Sequence, residues 1–214
     1  MDYEGSLADG TRVLFRRIRP EDKERIRRGF ELLSPESRYR RFFSSMDRLT
    51  EEQLRYLTEV DFEDHYALIA VLPDEPWIPG AGVSRWVRIP GEPEVAEGAV
   101  TVIDSFQNQG IGSTLLWLAA RSAIDHGVKA FRVWVKGENT PAMKMLADFG
   151  VVPHSWDAGT AEVDIPLPAR ADELEGTAAT LVLRATATGR LISRTGGSTE
   201  QGTTIEGTDP EGEG

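Results

Sequence analysis

AEGAVTVIDSFQNQGIGSTLLWLAARSAIDHG, residues 96–127, is the stretch from which the fold can be read. A strand over Val95 to Ile103 runs into a short turn, and the glycine-rich run Gln107 to Ser113 opens directly into a helix ending near His126. Leu115, Leu116, Leu118, Ala119 and Ile124 supply the apolar side of that helix, and Gly127 is placed to end it in a left-handed cap. Gly110 and Gly112 let the backbone approach a ligand with no Cβ in the way. The amides of Gly110, Ile111, Gly112 and Ser113 point out of the helix start. With the positive end of the helix dipole they make a site for phosphate.

Three phosphate loops compete for this pattern. A Walker loop needs Gly-Lys-Ser/Thr, and no lysine stands here. The dinucleotide fingerprint needs a third glycine where Leu115 stands, and a parallel strand-helix-strand unit that the surroundings lack. The remaining pattern, Q/R-x-x-G-x-G/A, is met by Gln107, Gly110 and Gly112.

Upstream, Arg12 to Ile18 reads as a first strand. Pro20 opens a helix carrying Ile26, Phe30 and Leu33. Ser34-Pro35 starts a second helix with a serine cap and proline at its first position. Thr50 and Gln53 form a capping box ahead of Leu54 and Leu57, which predicts a third, short helix. Strands follow at His65 to Leu72 and Gly82 to Ile89, and the turn-rich PDEPWIPG and PGEPE fit antiparallel connections. Downstream come a strand at Ala130 to Val135, a helix at Thr140 to Phe149, and a strand or hairpin within Val151 to Leu167. The order predicts an α+β fold with a mixed, mostly antiparallel sheet flanked by helices. The ordered body spans residues 12–168. Residues 169–194 read as an extension, with a loose helix over Ala171 to Leu191. Residues 195–214, rich in Gly, Thr and Glu, read as a disordered acidic tail.

Composition narrows the function classes. The 214 residues, 40% of them hydrophobic and five of them tryptophan, suffice for one domain with a real core. The formal charge of −11 repels nucleic-acid phosphates and attracts cationic substrates. No cysteine is present, which excludes thiolate chemistry and disulfides. His65, His126 and His154 have no ligand spacing, so no metal is expected. No apolar run is long enough for a membrane span, and MDYEGSLADG has no secretory character; cytoplasmic residence is the expectation. The basic stretch Arg16 to Arg28 reads first as a solvated helix face and second as a contact for a ligand phosphate. Trp117 and Trp134 read as core.

At this point the sequence resembles the GNAT superfamily of N-acetyltransferases, over about Arg12 to Pro168. SPESRYRRFF (34–43), LTEEQLRYLTEVDFEDHYALIAV (49–71), AEGAVTVIDSFQNQGIG (96–112) and the helix after Asn139 are similar to the catalytic domains of Pat-type bacterial protein lysine acetyltransferases. Such domains often accompany a cyclic-nucleotide-binding or acyl-CoA-synthetase-like domain, and 214 residues leave no room for either in this chain. The resemblance implies acetyl-CoA as acyl donor. It places the pyrophosphate on the amides from Gln109 to Ser113 and the pantetheine beside the backbone near Val102, between splayed central strands. It also implies a primary amine as acceptor. A protein lysine is favoured, with a small-molecule amine or a non-catalytic acyl-CoA sensor as the alternatives.

An amine must be neutral to attack a thioester, and a lysine with a pKa of about 10.4 needs a base near pH 7. Glu97 is the candidate: AEGAV is similar to the Pat-type segment that carries a proposed glutamate base. Partial burial between Val95, Ala99 and the splayed strands is expected to raise its pKa. Many relatives carry a tyrosine acid seven positions beyond the asparagine, and here that position is Leu146. Polarisation of the thioester carbonyl falls, by the resemblance, to an amide near Val102 or Ile103. Asn139 either holds the pantetheine or caps the helix that follows it.

Overall fold

The computed structural model describes residues 2–42, 46–138, 140–148, 150, 152–153, 155–176 and 192–194. Asn139, His154 and the predicted tail 195–214 lie outside them. Among the described residues nine strands form one sheet: β1 (Asp2–Ser6), β2 (Arg12–Arg17), β3 (His65–Val71), β4 (Gly82–Ile89), β5 (Glu92–Val102), β6 (Ala130–Lys136), β7 (Ser155–Asp157), β8 (Thr160–Pro166) and β9 (Ile192–Arg194). Their order is β7-β8-β6-β5-β4-β3-β2-β1-β9, and every neighbouring pair is antiparallel except β5 with β6.

Period-two alternation sorts the strand side chains onto two faces. Leu68, Ala70, Trp86, Ala96 and Phe131 point to one face and pack against Ile111, Leu115, Leu118 and Ala119 of α4 (Ile111–Asp125). Leu146 of α5 (Thr140–Asp148) packs on Ala161 and Val163 of β8. The opposite face is covered by α1 (Lys23–Glu31), α2 (Pro35–Phe42) and α3 (Glu51–Thr58). There Phe30, Leu33, Leu54 and Leu57 gather around Ile103. A fully buried side chain of this kind contributes about 1.5–3 kcal/mol.

Local chemistry sets the helix boundaries. The Thr50 hydroxyl accepts the Gln53 amide at 3.2 Å and the Gln53 side chain accepts the Thr50 amide at 2.8 Å, which is the expected capping box of α3. Ser34 caps α2 by accepting the Ser37 amide at 3.1 Å, with Pro35 at the first helical position. Gly127 follows α4 with φ +79°, as expected. Among the described residues no helix is long and apolar enough to cross a membrane.

Several elements differ from the sequence reading. β1 is a strand that the N-terminal residues did not announce, since only its pairing to β2 settles it. β5 begins at Glu92 rather than Val95 because a bulge at Arg88/Ile89 restores the ladder after the turn. Pro93 is tolerated there because pairing with β6 starts only at Val95. Of the expected loose helix over Ala171 to Leu191, Ala171–Gly176 is a 3-10 segment with Leu174 buried, and residues 177–191 lie outside the described residues; β9 pairs with β1. Arg16 is not on a solvated face. It is buried, and both its terminal nitrogens donate to Asp22 at 2.7 Å, joining β2 to the start of α1. Arg25 and Arg28 donate to the carbonyls of Ile78, Pro79 and Trp77. Trp117 packs on the main core, but Trp134 is exposed.

Candidate active site

β5 and β6 pair only through Val95–Ala130, Ala96–Phe131 and Glu97–Arg132. Beyond Glu97 they separate, with Gly98 to Val102 remaining on β4 and Val133 to Lys136 on β8. A wedge-shaped cleft opens between them, with Glu97 at its apex. Arg132 braces the apex by donating to Asp164 at 2.9 Å and to Glu92 at 2.9 Å.

Successive residues of a strand turn their amides to opposite sides. The Ile103 N–H donates to the Ala81 carbonyl at 2.9 Å, on the β4 side. The N–H groups of Val102 and Val100 therefore face the cleft. Ile103 is thus removed as an acyl contact: its amide is committed to Ala81 and its side chain is buried against Phe30 and Leu33. Val102, near which the resemblance places the pantetheine, has its N–H on the open side.

At the wide end of the cleft, α4 begins. Gly110 is its N-cap with φ +86° and ψ −13°, a conformation that disfavours any side chain, and no side chain caps it. Its carbonyl accepts the Thr114 amide at 3.0 Å, which leaves the amides of Ile111, Gly112 and Ser113 without partners inside the helix. A Cβ placed on Gly112 would lie 3.3 Å from Val102 Cγ2, so helix start and strand edge meet. The uncapped amides fit an anion, and an extended chain leading from it along β5 fits the cleft-facing N–H groups.

The two glutamines do not face that site with their side chains. Gln107 donates to the Val102 carbonyl at 3.1 Å and approaches the Ser37 hydroxyl at 3.4 Å; Gln109 donates to the Ser105 carbonyl at 3.0 Å. Both brace the loop. The Ile111 side chain is buried in the core, so only its amide is available. Asp104, in the same loop, accepts the Ser34 amide, the Ser34 hydroxyl and the Ser37 hydroxyl. Burial alone would raise its carboxyl, but these hydrogen bonds outweigh it and hold the group below the usual carboxylate range.

On the face covered by α1–α3, a pocket of about 230 Å³ is walled by Tyr56, Leu57, Arg85, Val87, Ala99 and Glu97. Glu97 is exposed in this pocket, contrary to the expected partial burial, because the strands paired to it through Val87 and Arg132 lie in the plane of the sheet and leave a side chain that projects from its face uncovered. Deeper under α1 lies an apolar cavity of about 80 Å³ that shares Leu57, Arg85 and Ala99 with the pocket. Arg85 is buried. Its guanidinium donates to the Leu57 carbonyl at 3.0 Å and to His65 Nε2 at 2.8 Å, and the His65 ring lies 4.9 Å from that of Tyr56. Burial and the neighbouring Arg85 push His65 down to about 4, so it stays neutral and accepts from Arg85. The sequence reading had passed over Tyr56 and Arg85. The signal for Arg85 was present in GVSRWVRI, where it shares a face with Val83 and Val87.

The profile of the Acetyltransferase (GNAT) family matches residues 27–151, more than half of the chain. The chain belongs to the GNAT family. Among curated relatives, this GNAT chain is 36% identical over 153 residues to Acetyltransferase Pat of Mycolicibacterium smegmatis, covering 71% of this chain and 45% of that protein. It is 32% identical over 111 residues to Acetyltransferase PA5475 of Pseudomonas aeruginosa, covering 52% and 59%. The chain thus spans about half the length of the curated relatives it matches. Among solved structures, the GNAT domain of S. lividans PAT superposes with a TM-score of 0.69 at 30% identity, covering 77% of this chain and 96% of that one. The Salmonella typhimurium yncA, a putative acetyltransferase solved with its cofactor acetyl-CoA, shares the fold at a TM-score of 0.58 and 14% identity, covering 74% and 96%. In this GNAT chain the position of the absent tyrosine, Leu146, is a buried core residue. It offers no proton to a leaving group.

Proposed function

We propose that the chain transfers an acetyl group from acetyl-CoA to a primary amine, with a lysine side chain of a protein as acceptor. The observation that carries this reading is the uncapped start of α4 set against the splayed edge of β5. The diphosphate binds the amides of Ile111, Gly112 and Ser113. The pantetheine amides pair with the cleft-facing groups of β5, where the Val102 carbonyl is already taken by Gln107 and its N–H is the donor. The thioester then lies toward the apex, and the Val100 N–H is the cleft-facing donor there for the oxygen that gains charge.

The acceptor enters through the pocket on the other face, where Glu97 removes a proton from the ammonium. The neutral amine attacks the thioester carbon, the nitrogen of the tetrahedral intermediate gives its extra proton to solvent, and the intermediate collapses with breaking of the C–S bond. With leucine at 146, the sulfur departs as a thiolate, which a thiol pKa of about 8.5 permits without a positioned acid. The resemblance of SPESRYRRFF and AEGAVTVIDSFQNQGIG to Pat-type protein lysine acetyltransferases supports a protein lysine as acceptor. The missing acid supports a second reading, a non-catalytic acyl-CoA-binding module. Steady-state thiol release from acetyl-CoA over a panel of amines, lysine peptides and cell lysate separates the two. Turnover with a lysine peptide is expected. Saturable CoA binding with no thiol release against any acceptor establishes the second reading instead.

A further inference from the structure

Two segments of chain far apart in sequence are tied together at one carboxylate. Asp104 Oδ2 accepts the Ser34 amide at 3.0 Å, and Oδ1 accepts the Ser34 hydroxyl at 2.8 Å and the Ser37 hydroxyl at 2.9 Å. The same Ser37 oxygen lies 3.4 Å from Gln107 Nε2, which donates at 3.1 Å to the Val102 carbonyl. Ser37, in the first turn of α2, is thus shared: it donates to Asp104 and meets Gln107, which reaches the cleft edge of β5. Ser34 follows directly on Leu33 of the turn between α1 and α2, and Leu33 with Phe30 of α1 walls the apolar cavity that adjoins the pocket containing Glu97. Asp104 itself is exposed, so its hydrogen bonds hold a surface junction in register rather than supporting a core.

We propose that Asp104 is a positioning residue that fixes the turn between α1 and α2, beside the cavity that adjoins the acceptor pocket, against the cofactor-binding loop, so that acyl-CoA binding and acceptor binding are coupled through it. This rests on the acyltransferase reading. The phosphate amides and Val102 lie on the loop side of the junction; on the other side lies the cavity lined by Phe30 and Leu33, which shares Leu57, Arg85 and Ala99 with the acceptor pocket. When CoA orders the loop, the carboxylate orders α2 and the pocket wall with it. Coupling of this kind is reciprocal, and a typical size is about 5- to 150-fold in affinity.

The test uses the full chain with CoA and Nα-acetyl-lysine amide as probes, comparing wild type with Asp104→Ala, Asp104→Asn and Ser37→Ala. Calorimetry gives the CoA affinity with and without the lysine probe, thiol release gives KM and kcat for each substrate, and circular dichroism gives the melting temperature. In wild type each probe is expected to tighten the other. In Asp104→Ala that mutual effect is lost and both KM values rise by about tenfold, while kcat extrapolated to saturation changes little. Asp104→Asn keeps one accepting oxygen and recovers part of the effect, and Ser37→Ala lies between. A lower melting temperature with both affinities and their coupling intact overturns the proposal, because that is the signature of a structural brace alone. Wild-type protein that binds CoA but shows no coupling overturns it too. Wild-type protein that fails to bind CoA at all defeats the acyltransferase reading and this proposal together.

Discussion

Glu97 of β5 and Arg132 of β6 are the last residues those two strands pair before the sheet splits. The pair fixes where the cleft begins and sets the candidate base at that point. Arg132 also pairs with Glu162, and its hydrogen bonds to Asp164 and Glu92 raise its pKa, so the apex is braced by charges that do not depend on substrate.

Replacing Glu97 with glutamine keeps the shape and removes the base. The acyl transfer rate is expected to fall by about 100-fold or more, while CoA affinity stays at the wild-type value. Stopped-flow transfer to a lysine peptide and calorimetry with CoA check the two halves separately. Unchanged transfer would remove Glu97 from the mechanism.

Gly112→Ala separates folding from binding. The position is helical, where alanine is favoured over glycine by about 1 kcal/mol, so the melting temperature should hold or rise. The new methyl meets Val102 at 3.3 Å, and that edge must give way. CoA binding is expected to weaken about tenfold, or ~1.4 kcal/mol. Equal CoA affinity in the variant would mean that the helix start and strand edge do not act on one ligand.

Asp22→Ala leaves the Arg16 guanidinium buried without its partner and should cost about 3–5 kcal/mol in urea denaturation at pH 7. Burial alone would raise the Asp22 carboxyl, but hydrogen bonds and charge from Arg16 overcome this and lower it below 3.8. Its contribution is therefore complete above 3.8 and fades as pH drops through the lower folded value. The wild-type advantage over the variant should shrink below pH 3.8. An advantage independent of pH would contradict this.

His65 is expected to stay neutral through the working range. Its pKa falls from 6.5 to about 4 on folding, so between those values the unfolded chain binds more protons and stability declines as pH is lowered. Proton NMR of the ring should show its titration near 4. A midpoint near 6.5 would mean that the contact with Arg85 is not made in solution.

Local signals in the sequence carried much of this structure. The capping boxes, the antiparallel strands around β4, the glycine turn and the long α4 follow from the chemistry of neighbouring residues. The splay between β5 and β6 came from family resemblance, because no periodicity states where two strands stop pairing. β1 and the exposure of Glu97 depend on partners distant in sequence. So does the difference between Val102 and Ile103: both are apolar residues ending a strand, and only the bond from Ile103 to Ala81 shows which amide faces the cleft. Arg85 and Asp104 were overlooked for a related reason. Their meaning lies in Leu57, His65, Ser34 and Ser37, none of which is adjacent in the chain.

The most direct test is a titration of 15N-labelled protein with CoA and, separately, with pantetheine, following the backbone amides of Ile111, Gly112 and Ser113. CoA should shift all three saturably, and pantetheine, which lacks the diphosphate, should leave them in place at the same concentration. If CoA binds without moving those amides, or does not bind, the helix start does not hold a diphosphate and the account is wrong.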